Sequence, residues 1–185
     1  MTKNNHVISP PALPPNAVCL HQQERVERAI EQMAAAISND LAQANPILLC
    51  VMNGGVVLSS QLMLRLPFPL QFDYVHASRY HNTQSGGELE WLVKPQLSLQ
   101  DRVVLVVDDI FDEGLTLDAI VHYCRVAGVS SVRVAVLVEK LRPQRRGKVM
   151  PNYVGLTVPD RYVFGYGMDK ENYWRNLPGI YAIDE

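Results

Sequence analysis

A chain of 185 residues, 48% hydrophobic and 19% charged, has the size and apolar content of a single domain with its own core. A formal net charge of −2 offers no surface for neutralising a phosphate backbone or anionic lipid, so neither nucleic acid polymer nor membrane is an expected partner. The cysteines, Cys19, Cys50 and Cys124, are odd in number and widely spaced, which fits buried reduced thiols and a cytoplasmic setting rather than a disulfide framework or a C-x-x-C metal site.

Residues 1–16 are polar and contain Pro10, Pro11, Pro14 and Pro15. They have neither the plan of a secretory leader nor the composition of a helix, and predict an extended arm suited to packing on a neighbouring subunit. Over 21–44 apolar residues recur at helical spacing (Val26, Ile30, Met33, Ile37, Leu41) until Asn45-Pro46 stops the pattern, predicting one long amphipathic helix. Residues 47–52 read as a strand ending at Asn53-Gly54-Gly55, and 56–66 as the helix that follows it, a βα unit. Residues 70–77 read as the next strand, and the polar stretch 80–88 with Gly86-Gly87 as a loop able to close over a site.

Residues 103–107 are valine apart from Leu105, as expected of a central strand buried on both faces. Helical spacing resumes over 117–127 and a further strand over 132–138 completes a second βαβ unit. The basic turn 142–148 reads as a solvated loop without a role. Short apolar runs at 153–158, 162–166 and 180–183 predict the remaining strands. The whole is an α/β chain with a central parallel sheet flanked by helices.

The chemistry lies in Asp108-Asp109-Ile110-Phe111-Asp112-Glu113-Gly114-Leu115-Thr116. Acids and a glycine between a buried strand and a helix fall in the crevice where open α/β sheets bind ligands. Backbone N–H groups from Glu113 to Thr116 point along the helix axis toward an anion, the Thr116 hydroxyl adds a donor, and a monophosphate fits there. Gly114 lets the backbone come close. Asp108 and Asp109, one sugar length away, can accept from vicinal hydroxyls or hold a metal through water. A ribose 5-phosphate satisfies both ends at once. An isolated Asp-Asp pair more often ends a strand and caps a helix; the third aspartate and the glycine turn favour the ligand site.

This order resembles the motif with which type I phosphoribosyltransferases bind phosphoribosyl pyrophosphate (PRPP), and from Ile47 onward the chain is similar to their hypoxanthine-guanine branch. Met52-Asn53-Gly54-Gly55 resembles the pyrophosphate loop, Ser78-Arg79-Tyr80 the start of the closing loop, and Val138-Glu139-Lys140 the base-binding strand. Tyr153-Val154-Gly155, Val158-Pro159-Asp160, Gly165-Tyr166-Gly167-Met168-Asp169 and Tyr173-Trp174-Arg175 continue the likeness. The resemblance implies a type I phosphoribosyltransferase fold over 1–185, with a small hood from the terminal segments to which 150–185 contributes, assembled as a homodimer or homotetramer. It implies purine salvage: hypoxanthine or guanine plus PRPP giving the nucleoside 5′-monophosphate and pyrophosphate, with Mg2+.

Within that implied site Asp112 is the general base at purine N7. Asp108 and Asp109 meet the ribose hydroxyls and magnesium, and Asp160 helps hold a second magnesium. Glu113, Gly114, Leu115, Thr116, Asn53, Gly54 and Arg175 hold PRPP. Lys140 donates to the 6-oxo group, Tyr153 stacks on the base and Val154 meets its edge through backbone atoms. Two positions depart from the family pattern: Asn53 stands where many relatives carry lysine, and Glu113 where they often carry threonine. A carboxylate beside a phosphate is repulsive, so the Glu113 side chain is expected to point to solvent.

Two other functions fit parts of the pattern. A non-catalytic protein of the same fold would bind PRPP or nucleotide as an effector; Asp112, Lys140 and Arg175 together favour an enzyme. Receiver domains also place paired acids at a strand end to bind magnesium, but near the start of the domain, whereas more than half of this chain precedes Asp108, and the strand 132–138 ends without a phosphoacceptor aspartate.

Overall fold

The valine-rich run sits at the centre of the sheet because both of its faces are apolar and both must be covered. The computed structural model describes residues 11–79 and 89–183. In it the run opens β5 (Val103–Phe111), flanked in parallel by β2 (Ile47–Met52) and β6 (Ser131–Leu141). β3 (Gln71–Arg79) lies parallel beyond β2, and β7 (Tyr153–Pro159) parallel beyond β6. The edge strand β4 (Leu89–Val93) pairs antiparallel with β3, giving the order β4-β3-β2-β5-β6-β7.

Strand alternation divides the core in two. Leu48, Cys50, Leu105 and Val107 meet α1 (Gln23–Leu41) and α2 (Val56–Met63) on one face. Ile47, Leu49, Val51, Val104 and Val106 meet α3 (Leu115–Val126) on the other. Each such side chain contributes roughly 1.5–3 kcal/mol on burial, so a polar residue within these strands calls for a separate explanation. Among the described residues no helix is long and apolar enough to cross a membrane.

A second sheet of order β1-β9-β8 is antiparallel and combines β1 (Ala17–His21), β8 (Tyr162–Phe164) and β9 (Ile180–Ile183). It accounts for the first departure from the expected elements. His21 belongs to β1, not to the helix, because its backbone pairs with Ile180. The segment 150–185 is also divided: β7 extends the main sheet, and only the chain from β8 onward joins the smaller one. β5 runs further than 107, since β6 continues beside it through the pairs Ile110 with Val138 and Phe111 with Glu139. Cys50 and Cys124 are buried free thiols, which burial pushes up to about 11, whereas Cys19 is exposed, contrary to expectation.

The chain leaves β2 through α2 toward β3 on one side and leaves β5 through α3 toward β6 on the other. The carboxyl ends of β2 and β5 therefore form a topological switch point, with a crevice between their loops. Residues 1–10 of the arm and 80–88 of the closing loop, Tyr80 included, lie outside the described residues; Ser78 and Arg79 end β3.

Candidate active site

Asp108 and Asp109 lie inside β5, and both are buried. Asp108 Oδ1 accepts the Asp109 backbone N–H at 2.9 Å. Burial pushes the Asp108 carboxyl well above the usual range, and the charge of Asp109 adds to this. Burial also raises Asp109, opposed by its hydrogen bond to Asp108 and by the nearby Arg175 guanidinium. Across the crevice, the loop after β2 presents bare backbone: a Cβ on Gly54 would lie 1.9 Å from Asp109 Oδ2. Only glycine fits there, because any side chain would collide with the carboxylate.

The loops after β2 and β5 enclose an opening of about 540 Å³, lined by Val51, Met52 and Gly54 on one side and by residues 108–117 on the other, with Arg142 above them. Gly114 caps α3 at φ 81°, a conformation that favours glycine. The first α-helical bond runs from the Asp118 N–H to the Gly114 carbonyl at 2.9 Å. The amides of Leu115, Thr116 and Leu117 precede that bond and give the opening the positive end of a helix. Anions bind such ends, and the Thr116 side chain lies at the same wall.

A second opening of about 180 Å³ adjoins the first through Asp109, Ile110 and Asp112, and is completed by Lys140, Tyr162, Val163, Met168 and Asp169. Lys140 Nζ lies 3.0 Å from Asp112 Oδ2, and Arg142 lies 2.9 Å from Asp112 Oδ1. The ends of β5 and β6 bring these groups together across 28 residues of sequence. The Tyr162 hydroxyl donates to the Asp169 carbonyl at 2.9 Å. Arg175 pairs with the Asp169 carboxylate at 2.7 Å and donates to the Gly167 carbonyl at 2.7 Å.

A model of the phosphoribosyl transferase domain matches residues 19–171 of this chain. The chain belongs to that family. A hypoxanthine-guanine-xanthine phosphoribosyltransferase of Tritrichomonas foetus is 33% identical over 166 residues, covering 90% of this chain and 91% of that one. The hypoxanthine-guanine phosphoribosyltransferase of Bacillus subtilis (strain 168) is 29% identical over 162 residues, 87% and 89% of the two chains. A solved hypoxanthine phosphoribosyltransferase from Staphylococcus aureus superposes with a TM-score of 0.85 at 27% identity, covering 90% of this chain and 91% of that one. The architecture is accordingly that of the type I phosphoribosyltransferases.

Several expected site residues of this phosphoribosyltransferase lie elsewhere. Tyr153 is buried in the core beneath α1, and its hydroxyl donates to Asp40 at 2.7 Å, so its ring faces away from both openings. Val154 points to the opposite face and packs on the core beneath α3. Their counterparts at the smaller opening are Tyr162 and Val163. Asp160 is held by Arg142 Nε at 2.8 Å, which keeps its carboxyl below the usual range, and it does not line the opening, whereas Asp169 joins Asp109 and Asp112 there. Asn53 is exposed and is not part of the lining. Glu113 does not simply face solvent: Arg142 and Arg146 each lie 3.6 Å from it. Arg142, expected to belong to a solvated turn without a role, instead lies directly after β6 and pairs with Asp112, Glu113 and Asp160.

Proposed function

We propose that this phosphoribosyltransferase is a purine salvage enzyme that joins hypoxanthine or guanine to the ribose 5-phosphate of PRPP and releases pyrophosphate. What supports this activity above all is the pair of adjoining openings. One has an anion-binding helix end and two buried carboxylates; the other gathers a lysine, three aspartates and a tyrosine ring. The names carried by the relatives point to the same substrates.

In this proposal the α3 amides and Thr116 hold the 5′-phosphate, and Asp108 and Asp109 accept from the ribose hydroxyls. Gly54 and Arg175 lie on the pyrophosphate side. As the C1–oxygen bond to pyrophosphate breaks, positive charge grows on the sugar and negative charge on the leaving group, so placed charges in a dry site carry the catalysis. Asp112 accepts the proton from N7 while the purine attacks C1. Lys140 leaves Asp112 to donate to the 6-oxo group, Tyr162 stacks on the ring and the Val163 backbone meets its edge.

Magnesium fits the residues present. It retains several waters and binds through one or two carboxylates together with substrate oxygens. Among the described residues no cluster of three or more His, Cys, Asp or Glu side chains could cage a metal unaided. Asp108 and Asp109, buried and pushed toward their protonated forms, suit a cation that arrives with PRPP, and Asp169 offers a further carboxylate. When bound, magnesium would supply charge stabilisation to the pyrophosphate oxygens. The working form in this proposal is a cytoplasmic homodimer or homotetramer.

Incubation with PRPP, magnesium and hypoxanthine, guanine or xanthine in turn, following nucleotide by chromatography, tests the activity. Inosine and guanosine monophosphates are the expected products; no nucleotide from any of the three bases would overturn it.

A further inference from the structure

We infer that Arg142 is the positioning residue that makes a glutamate tolerable in the phosphate-binding turn: it draws the Glu113 carboxylate aside and offsets its charge, so that the 5′-phosphate of PRPP can occupy the α3 amides. This rests on the phosphate site proposed above. Glu113 immediately precedes the Gly114 cap and lines the same opening. Like charges a few ångström apart near a protein surface repel strongly enough to empty such a site unless one of them is neutralised.

The neutralising groups come from the basic turn 142–148, which is fastened to the phosphate turn. The Gly147 N–H donates to the Glu113 carbonyl at 2.8 Å. The Asp118 carboxylate, in the first turn of α3, accepts the N–H groups of Lys148 at 2.7 Å and Val149 at 2.6 Å. Gly147 lies so close to Gly114 that a Cβ would fall 2.6 Å from its carbonyl carbon. Arg145 covers the Phe111 ring at 4.6 Å and pairs with Glu139.

Thus placed, the turn sets Arg142 NH1 3.6 Å from Glu113 Oε1 and Arg146 NH1 3.6 Å from Glu113 Oε2. The two arginines are not equivalent. The Arg146 side chain is 70% exposed, and solvent and salt screen it. The Arg142 side chain is 25% exposed and is held by Asp160 at 2.8 Å and Asp112 at 2.9 Å. In the cluster Asp112, Glu113 and Asp160 face Lys140, Arg142 and Arg146. The charges balance, and losing Arg142 leaves a net negative charge beside the phosphate site.

A double-mutant cycle on the full chain tests this, using Arg142→Ala, Glu113→Gln and both together, with the KM for PRPP measured at saturating hypoxanthine. Arg142→Ala should raise that KM about tenfold, equivalent to about 1.4 kcal/mol. In the Glu113→Gln background the same replacement should raise it less than about threefold, because the repulsion it relieves is gone. Arg142→Lys should recover most of the loss. Where Arg142→Ala melts below the assay temperature, Arg142→Gln takes its place in the cycle. An equal rise in both backgrounds or an unmoved KM would overturn the role of Arg142, and a loss confined to kcat would overturn it and place its effect on Asp112 instead. The unmutated enzyme separates the two ideas: nucleotide formation by it upholds the proposed activity whatever the cycle gives, and its absence removes both.

Discussion

Asp108–Asp109 and Asp112–Glu113 are acidic pairs four residues apart on one stretch of chain, and they meet opposite surroundings. The first pair is buried within β5, and desolvation raises both carboxyls. The second pair is about 40% exposed and is met by Lys140, Arg142 and Arg146. A buried pair carries a charge cost that a ligand or cation can relieve on binding. A paired set is already neutral within the protein and must exchange partners before it can act. Burial in one case and ion pairing in the other distinguish the acids proposed to meet the sugar from the one proposed to accept the proton.

The largest test of that contrast is Asp112→Asn. Loss of the proposed N7 proton acceptor should lower kcat about a hundredfold, while the KM for PRPP stays within about twofold; undiminished turnover in steady-state assays would remove Asp112 from the chemistry. Lys140→Ala is next. It should weaken hypoxanthine binding about tenfold by calorimetry, and unchanged affinity would mean that Lys140 serves only as the partner of Asp112.

Asp108→Asn has the smallest expected effect and probes the other pair. A carboxyl raised on folding binds more protons in the native than in the unfolded chain, between its unfolded value and its native one. Stability therefore falls as pH rises through that window, and the full penalty is present above it. Asparagine carries no such penalty and can still accept the Asp109 N–H. Its Tm at pH 7 should be about 3 °C higher, with the gain shrinking as pH falls toward 4, alongside lower activity. A lower Tm at every pH in thermal melts would show that the buried charge is not the strained element.

The β5–α3 turn could be read from sequence because its requirements are local. A buried valine run, successive acids and a glycine at φ 81° belong to one continuous segment, and each reflects the conformation of its own backbone. The lining of the smaller opening could not be read in this way. Tyr153-Val154 and Tyr162-Val163 present the same local pattern, each opening a short apolar strand. Register and sheet membership decide between them: Tyr153 pairs with Ala135 in the main sheet and points under α1, while Tyr162 pairs with Ile183 in the smaller sheet and reaches the opening. Asp160 and Asp169 were exchanged for the same reason, since Arg142 claims the first. β4 escaped notice although Leu89, Trp91 and Val93 recur at period two, because the run is only five residues long and follows directly on a polar, glycine-containing stretch.

The amino-acid sequence alone determined the strand–turn–helix units, the acidic β5–α3 turn and the family, because hydrophobic period, glycine placement and acid spacing act over a few residues. Tertiary structure alone decided which tyrosine and which aspartate face the crevice, and that the basic turn packs on the β5–α3 turn. Those placements follow from strand register and from charges that meet only when distant segments fold together.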